Sequence, residues 1–447
     1  MKSRKSFLSK IHFFRAVWCT LLFLLVAFIA YKKIATQPTM NFHLDSFESV
    51  FFGNHIKFNE NAHGTSPNDQ IKVDLVYTWV DGLDENFIKL FDEYLSENQI
   101  PIDKNGYSIR YEDIEELRYS LRTAEKFLKF INKIFIITID GKPPIWLNTM
   151  NPRIIMVSHE QIFRHNNLAV SNHKNDEKDQ KINNETFSQV FNILNSVKLP
   201  TFNSNAIELG LVNIPGLSEH FIYFNDDCFV GRKLEIGDFF DKDGNPIMSA
   251  EYFDFNYPDI FYRSEQKKTR IRRVRNSALF LSTVYGTAIT IKNKYKRIKN
   301  EKSAHVAIPL TKSILIKAIL DFPEKVSETL QHRYRDIDDL QLSTFLHQVA
   351  LINNMATSIM SDNHRSTFVF IDNDHPYQVG LNSILLNKPM LFCINVDIQE
   401  ANIHVKKFLE AFVSDISQFE NPNYPPQFEE KKVSPHTRKK AHVHRKL

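Results

Sequence analysis

Phe221-Ile222-Tyr223-Phe224-Asn225-Asp226-Asp227 runs four large apolar residues straight into an amide and two carboxylates. An unbroken apolar run rich in aromatic and β-branched side chains reads as a strand buried on both faces, the kind found in parallel sheets. Such a strand delivers acid at its tip. In open α/β sheets ligands collect beyond the carboxyl ends of the strands, and adjacent carboxylates there make a hard oxygen site suited to Mg²⁺ or Mn²⁺. Asn-Asp-Asp is equally the composition of a plain turn. This stretch alone leaves both readings open.

Upstream, Ile71 to Val80 has the β-branched and aromatic content of a strand and ends in the turn signal Asp81-Gly82. Tyr111 to Lys129 has helical composition, with Leu117, Leu121 and Ala124 at helical spacing, and leads into a second strand, Lys133 to Thr138. Strand, helix, strand is a βαβ unit. A short third strand follows at Ile154 to Val157, then a polar stretch from Arg164 to Asn184 that reads as an exposed loop and ends in the glycosylation sequon Asn184-Glu185-Thr186. A helix carrying Ile207, Glu208 and Leu211 precedes the opening stretch. It either brings Glu208 toward Asp226 and Asp227 as a third carboxylate or leaves it on the surface. Downstream, His305 lies just before a helix from Thr311 to Leu320, and His332, Arg335 and Asp336 to Asp339 cluster before another that ends at Leu351. Met390 to Val396 reads as a late strand.

With 447 residues and 43% hydrophobic content the chain is long enough for a large core. The net charge of +4 decides little, but Lys and Arg gather in the first fifteen residues, from Lys267 to Lys302, and from Lys431. The middle cluster suits a phosphate-rich ligand, an anionic polymer or a membrane, or is a solvated loop. No helix-turn-helix, zinc-finger or RNA-recognition signature is present, so nucleic acid is not expected as a partner. Three cysteines, Cys19, Cys228 and Cys393, make no disulfide framework, and Cys228 reads as a buried filler. The N-terminus is basic, Ala16 to Tyr31 is almost wholly apolar, and Lys32-Lys33 closes it. That is the pattern of a short membrane segment or signal-anchor. Residues 34–70 read as a stalk and 421–447 as a disordered tail.

Val73 to Gly82, Arg110 to Asn148 with its Glu116-Leu117-Arg118-Tyr119-Ser120-Leu121-Arg122 core, Leu199 to Ser204 and Phe224 to Asp227 closely resemble the Stealth proteins, bacterial capsule and exopolysaccharide phosphotransferases related to the eukaryotic lysosomal-enzyme N-acetylglucosamine-1-phosphotransferase. A third block resembles Ala304 to Gln341 and a fourth Leu391 to Asp397 with Ser417 to Glu420. In the third, Val306-Ala307-Ile308-Pro309 departs from the usual pattern, and in the fourth Val396 stands where an acid is common.

The resemblance implies an α/β, glycosyltransferase-A-like nucleotide-sugar-binding fold over residues 71–420. It also implies transfer of a sugar 1-phosphate from a nucleotide sugar, a UDP-sugar foremost, to a hydroxyl of a glycan or polysaccharide acceptor, with release of a nucleoside monophosphate. By position, Asp226 and Asp227 would hold the metal, Glu208, His305 and Arg335 would be catalytic, and Thr78, Trp79, Asp81 and Gly82 would meet the nucleotide. Arg118 and Arg122 would either join them near the diphosphate or be locked in structural ion pairs. Within enzymes the alternative is an ordinary glycosyltransferase that releases a nucleoside diphosphate; outside them, an inactive membrane-anchored glycan-binding protein. A bacterial inner-membrane protein with a cytoplasmic body is the expected setting, and a Golgi-type luminal body the other.

Overall fold

The computed structural model describes residues 71–97, 113–168, 184–255 and 276–424. The apolar segment 16–31, the stalk, most of the polar stretch 164–184, residues 267–275 of the basic cluster and the tail beyond 424 lie outside the described residues.

In chain order the elements are β1 (Val73–Thr78), α1 (Glu85–Glu97), α2 (Glu116–Phe127), β2 (Ile131–Thr138), β3 (Ile154–Ser158), α3 (His159–Arg164), α4 (Asn184–Leu194) and α5 (Ser204–Leu209). Then come β4 (His220–Asn225), β5 (Cys228–Val230), β6 (Ile247–Tyr252), α6 (Asn276–Tyr295), β7 (Glu301–Ser303), β8 (Ile308–Thr311), α7 (Lys312–Asp321) and α8 (Pro323–Gln331). The last are α9 (Leu342–Ile352), β9 (Thr357–Met360), β10 (Ser366–Ile371), α10 (Tyr377–Asn387), β11 (Leu391–Val396) and α11 (Gln399–Phe412).

The main sheet has the order β3-β2-β1-β4-β8. The first four strands are parallel and β8 is antiparallel to β4. Strand order therefore reverses between β1 and β4, and the crevice beyond their carboxyl ends is the topological switch point at which such sheets bind ligands. Thr78 lies opposite Asn225 in register, so the two strands finish level with one another. This is the α/β architecture expected from the sequence.

Both faces of that sheet are apolar. Val76, Phe135, Phe221 and Tyr223 pack on one side with Leu209, Ile314 and Phe345, while Leu75, Tyr77, Ile222 and Phe224 pack on the other with Leu117 and Leu121. The continuous Phe221–Phe224 run follows from this, because neither face of β4 meets water. A second sheet, β10-β11-β5, begins where β4 ends, and a third has the order β7-β6-β9.

Helix α2 is covered almost all round. Tyr77 Oη and Ser120 Oγ are 3.0 Å apart, and the Val230 amide donates to Thr123 Oγ1 at 3.0 Å, tying α2 to the main sheet and to β5. The sequence signalled neither β8, which contains Pro309, nor α6, whose many β-branched residues make a poor helix by propensity. The sequon at Asn184 opens α4. No helix among the described residues is long and apolar enough to cross a membrane.

Candidate active site

Asp226 and Asp227 form the two-residue turn from β4 into β5. The turn and the acid site are thus one feature, because the chain passes here from the first sheet to the second. Asp227 is held from β11: its carbonyl accepts the Ile394 amide at 3.1 Å, and the Asn395 amide donates to its Oδ2 at 3.4 Å. Burial holds Asp226 well above the usual carboxylate range, and the neighbouring Asp227 and Asp113 carboxylates add to this. Burial also raises Asp227, with the His305 ring opposing it.

Two acids that sequence reasoning missed complete the cluster. Burial and then the charges of Asp113 and Asp226 push Glu116 well up, and Asp113 accepts the Trp79 indole N–H at 3.2 Å. The signal was the Asp113-Ile114-Glu115-Glu116 run itself, which reads as ordinary helix-start acidity. What turns it inward is Glu115, whose φ of 69° redirects the chain just before α2. Crowded carboxylates of this kind are the donor set that a hard divalent cation satisfies, so the residues present fit Mg²⁺ or Mn²⁺. The Cys228 and Cys393 sulfurs also lie with Asp227, with ligand atoms within 4.8 Å of one another. Burial holds the Cys393 thiol well above its ordinary value, so these sulfurs are poor donors for such an ion.

Glu208 takes a different place from the one expected beside the acid pair. On α5 it meets the Tyr223 hydroxyl and the Arg335 charge, and burial lifts its carboxyl to about 7 against the pull of both. Tyr223 Oη is 2.9 Å from Thr78 Oγ1, so Glu208 is joined through one phenol to the end of β1. Arg335 is steadied by Ser204, whose Oγ accepts from Nε at 3.0 Å and Nη2 at 2.6 Å. Its charge acts on Glu208 and on His305 alike. His305, between β7 and β8, is lowered by burial while the charge of Asp227 raises it.

The loops that present these groups are knitted by Asp339, which is 1% exposed. It accepts from Asn203 Nδ2 at 2.8 Å, the Asp336 amide at 2.8 Å and the His332 ring at 2.7 Å. His332 and Asp339 are therefore scaffold, and of that run Arg335 is the residue turned to the site.

Of the two places open to Arg118 and Arg122, beside the diphosphate or in structural ion pairs, the structure shows the ion pairs. Both are 6% exposed and both bind Glu420: Arg122 donates from Nε and Nη2 at 2.6 and 2.8 Å, and Arg118 from Nε. Arg118 Nη1 donates to Glu115 at 2.9 Å. Helix α2 packs with its arginines toward the chain's later segment, so they are structural ion pairs. Trp79, 9% exposed, and Thr78 lie at the end of β1 beside the acids, whereas Asp81 is exposed and its Oδ1 accepts the Leu83 amide in the turn that includes Gly82.

Models of three Stealth conserved regions match this chain: region 1 at residues 72–99, region 2 at 110–195 and 175–248, and region 3 at 304–349. The capsular polysaccharide phosphotransferase fcs1 of Haemophilus influenzae is 30% identical over 352 residues, covering 77% of this chain and 83% of its own. The chain belongs to the Stealth family. Among other Stealth relatives, the exopolysaccharide phosphotransferase cps2G of Lactiplantibacillus plantarum is 27% identical over 77% of this chain and 94% of its own. The capsular polysaccharide phosphotransferase SacB of Neisseria meningitidis serogroup A is 28% identical over 78% of this chain and 57% of its own. Among solved structures, the bifunctional glycosyltransferase WbbM aligns over 72% of this chain and 46% of its own at 8% identity and a TM-score of 0.30, too slight a likeness to bear on the fold.

Proposed function

We propose that this Stealth chain is a capsular or surface-polysaccharide phosphotransferase that moves a sugar 1-phosphate from a nucleotide sugar to a glycan hydroxyl. The observation that carries this reading is the acid turn Asp226-Asp227 at the switch point, with His305 beside Asp227 and the charge of Arg335 acting on both His305 and Glu208. Phosphoryl transfer needs little covalent help from a protein; it needs charge neutralisation and in-line positioning. Asp226 and Asp227 would hold Mg²⁺ or Mn²⁺, which supplies charge neutralisation of the diphosphate when bound.

The acceptor hydroxyl oxygen attacks the sugar-bearing phosphorus, the bond from that phosphorus to the bridging oxygen breaks, and the bridging oxygen leaves with the nucleoside monophosphate. Arg335, its fork fixed by Ser204, steadies the phosphoryl oxygens. Glu208, poised near neutrality, takes the hydroxyl proton. His305, beside Asp227, orients the reacting groups. Thr78 and Trp79 form the nucleotide side of the crevice.

The test is incubation of the purified protein with a panel of nucleotide sugars and short glycans. Nucleoside monophosphate as product supports the reading, and nucleoside diphosphate would make the protein an ordinary glycosyltransferase. Asp227→Ala should abolish release with the fold preserved; full turnover in that variant would sink the acid-turn assignment. The setting proposed is a bacterial inner membrane, reached through residues 16–31, with the body in the cytoplasm where activated sugars are made. Protease access to the body in sealed vesicles of known orientation tests this.

A further inference from the structure

Strand β10 is an edge strand of the second sheet, and its burial alternates: Thr367, Val369 and Ile371 face inward while Phe368 and Phe370 are 42% and 38% exposed. Exposed positions on an edge strand ordinarily carry polar or charged side chains, which keep the edge from sticking. Two phenylalanines at adjacent outward positions therefore call for an occupant.

Register shows where they point. Phe368 is paired with Cys393 and Phe370 with Asn395 on β11, and Cys393 is paired in turn with Cys228 on β5. Side chains in register share a face, so the two rings stand on the face whose Asn395 amide touches Asp227. They lie one strand further out, roughly 5 Å beyond β11. Phe368 meets the His305 ring edge-on with centroids 4.3 Å apart. Beyond it, Phe370 neighbours His375, which is bound to Asp372 at 2.7 Å. The result is an apolar ridge that starts at a proposed catalytic side chain, spaces two rings roughly 7 Å apart along the strand, and ends at exposed polar groups. A pyranose has the matching chemistry: one face of axial C–H bonds that lies flat on an aromatic ring, and a rim of hydroxyls that hydrogen-bonds to His and Asp.

We infer that Phe368 and Phe370 form a stacking ridge for successive sugar rings of the acceptor glycan, leading away from His305. This rests on the transferase reading above. It adds the path along which the acceptor lies.

A glycan array probed with the full chain in chelator reads binding without turnover. Phe370→Ala should bind up to about tenfold more weakly than wild type, the loss of one exposed aromatic contact, and Phe370→Trp should restore it. Unfolding midpoints in urea should be the same for all three. Equal binding by Phe370→Ala, or no glycan bound by wild type, overturns the ridge. Concentration-dependent self-association that Phe370→Ala abolishes assigns the face to a second copy of the chain and overturns it too. Array binding lost in Phe370→Ala, in a protein that releases no nucleoside monophosphate, refutes the transferase reading alone; monophosphate release with unaltered binding in the variant refutes the ridge alone.

Discussion

Glu208→Gln should make the metal-free protein more stable in alkali and no more stable in acid. Burial raises the Glu208 carboxyl from 4.5 to about 7, so the folded chain binds this proton more tightly than the unfolded chain does. Stability is then greatest below about pH 4.5, falls as pH rises, and levels off above about pH 7. At about 1.4 kcal/mol per tenfold change in proton affinity, the ionised carboxylate costs the fold about 3 kcal/mol. Solvent contact at this partly buried side chain trims that to about 2 kcal/mol. Glutamine keeps the shape and never ionises. Urea unfolding of both proteins in chelator, at about pH 4 and about pH 8, should show the variant ahead by about 2 kcal/mol at the higher pH only. The attraction of Arg335 for the ionised carboxylate opposes burial and is already contained in the value of about 7. An advantage of the same size at both pH values, or none at either, would refute the burial of an ionisable Glu208. The same variant should lose turnover, and the rise of wild-type kcat through neutral pH should disappear with it.

Glu420→Ala leaves two buried guanidinium groups without their carboxylate and should destabilise the fold by about 3–5 kcal/mol, read by denaturant unfolding. Ser204→Ala removes the anchor of the Arg335 fork and should lower kcat about tenfold with a smaller change in donor KM, while an equal loss of donor affinity would show that Arg335 holds the ground state. Chelation should abolish nucleoside monophosphate release, with recovery on adding Mg²⁺ or Mn²⁺; activity that persists in excess chelator would remove the metal role from Asp226 and Asp227.

The parts of the architecture legible in the sequence are those where one local pattern has one structural cause. A strand covered on both faces has no reason to alternate, so β4 announced itself as an apolar run, and its acid tip marked the crevice. Glu208, His305 and Arg335 were named through the family resemblance, and in the structure the charge of Arg335 acts on both of the others. What the sequence hid is what depends on distant partners. The duty of Arg118 and Arg122 is set by Glu420, 302 and 298 residues away. Asp113 and Glu116 look like routine helix-start acids until the left-handed Glu115 turns them inward. Asp74, another acid in a strand, is fully buried and accepts from Asn132, the Lys133 amide and the Ser218 amide, so an acid in β1 is a staple while the acids at the tip of β4 are not.

The Glu420 contact also has a meaning in time. Helix α2 leaves the ribosome with two arginines destined for burial, and their carboxylate is encoded about 300 residues later. At bacterial and eukaryotic elongation rates that interval is roughly 15–60 s, during which the helix cannot close against its final neighbours without stranding charge. The nascent body therefore cannot complete this packing until the segment that carries Glu420 has been made.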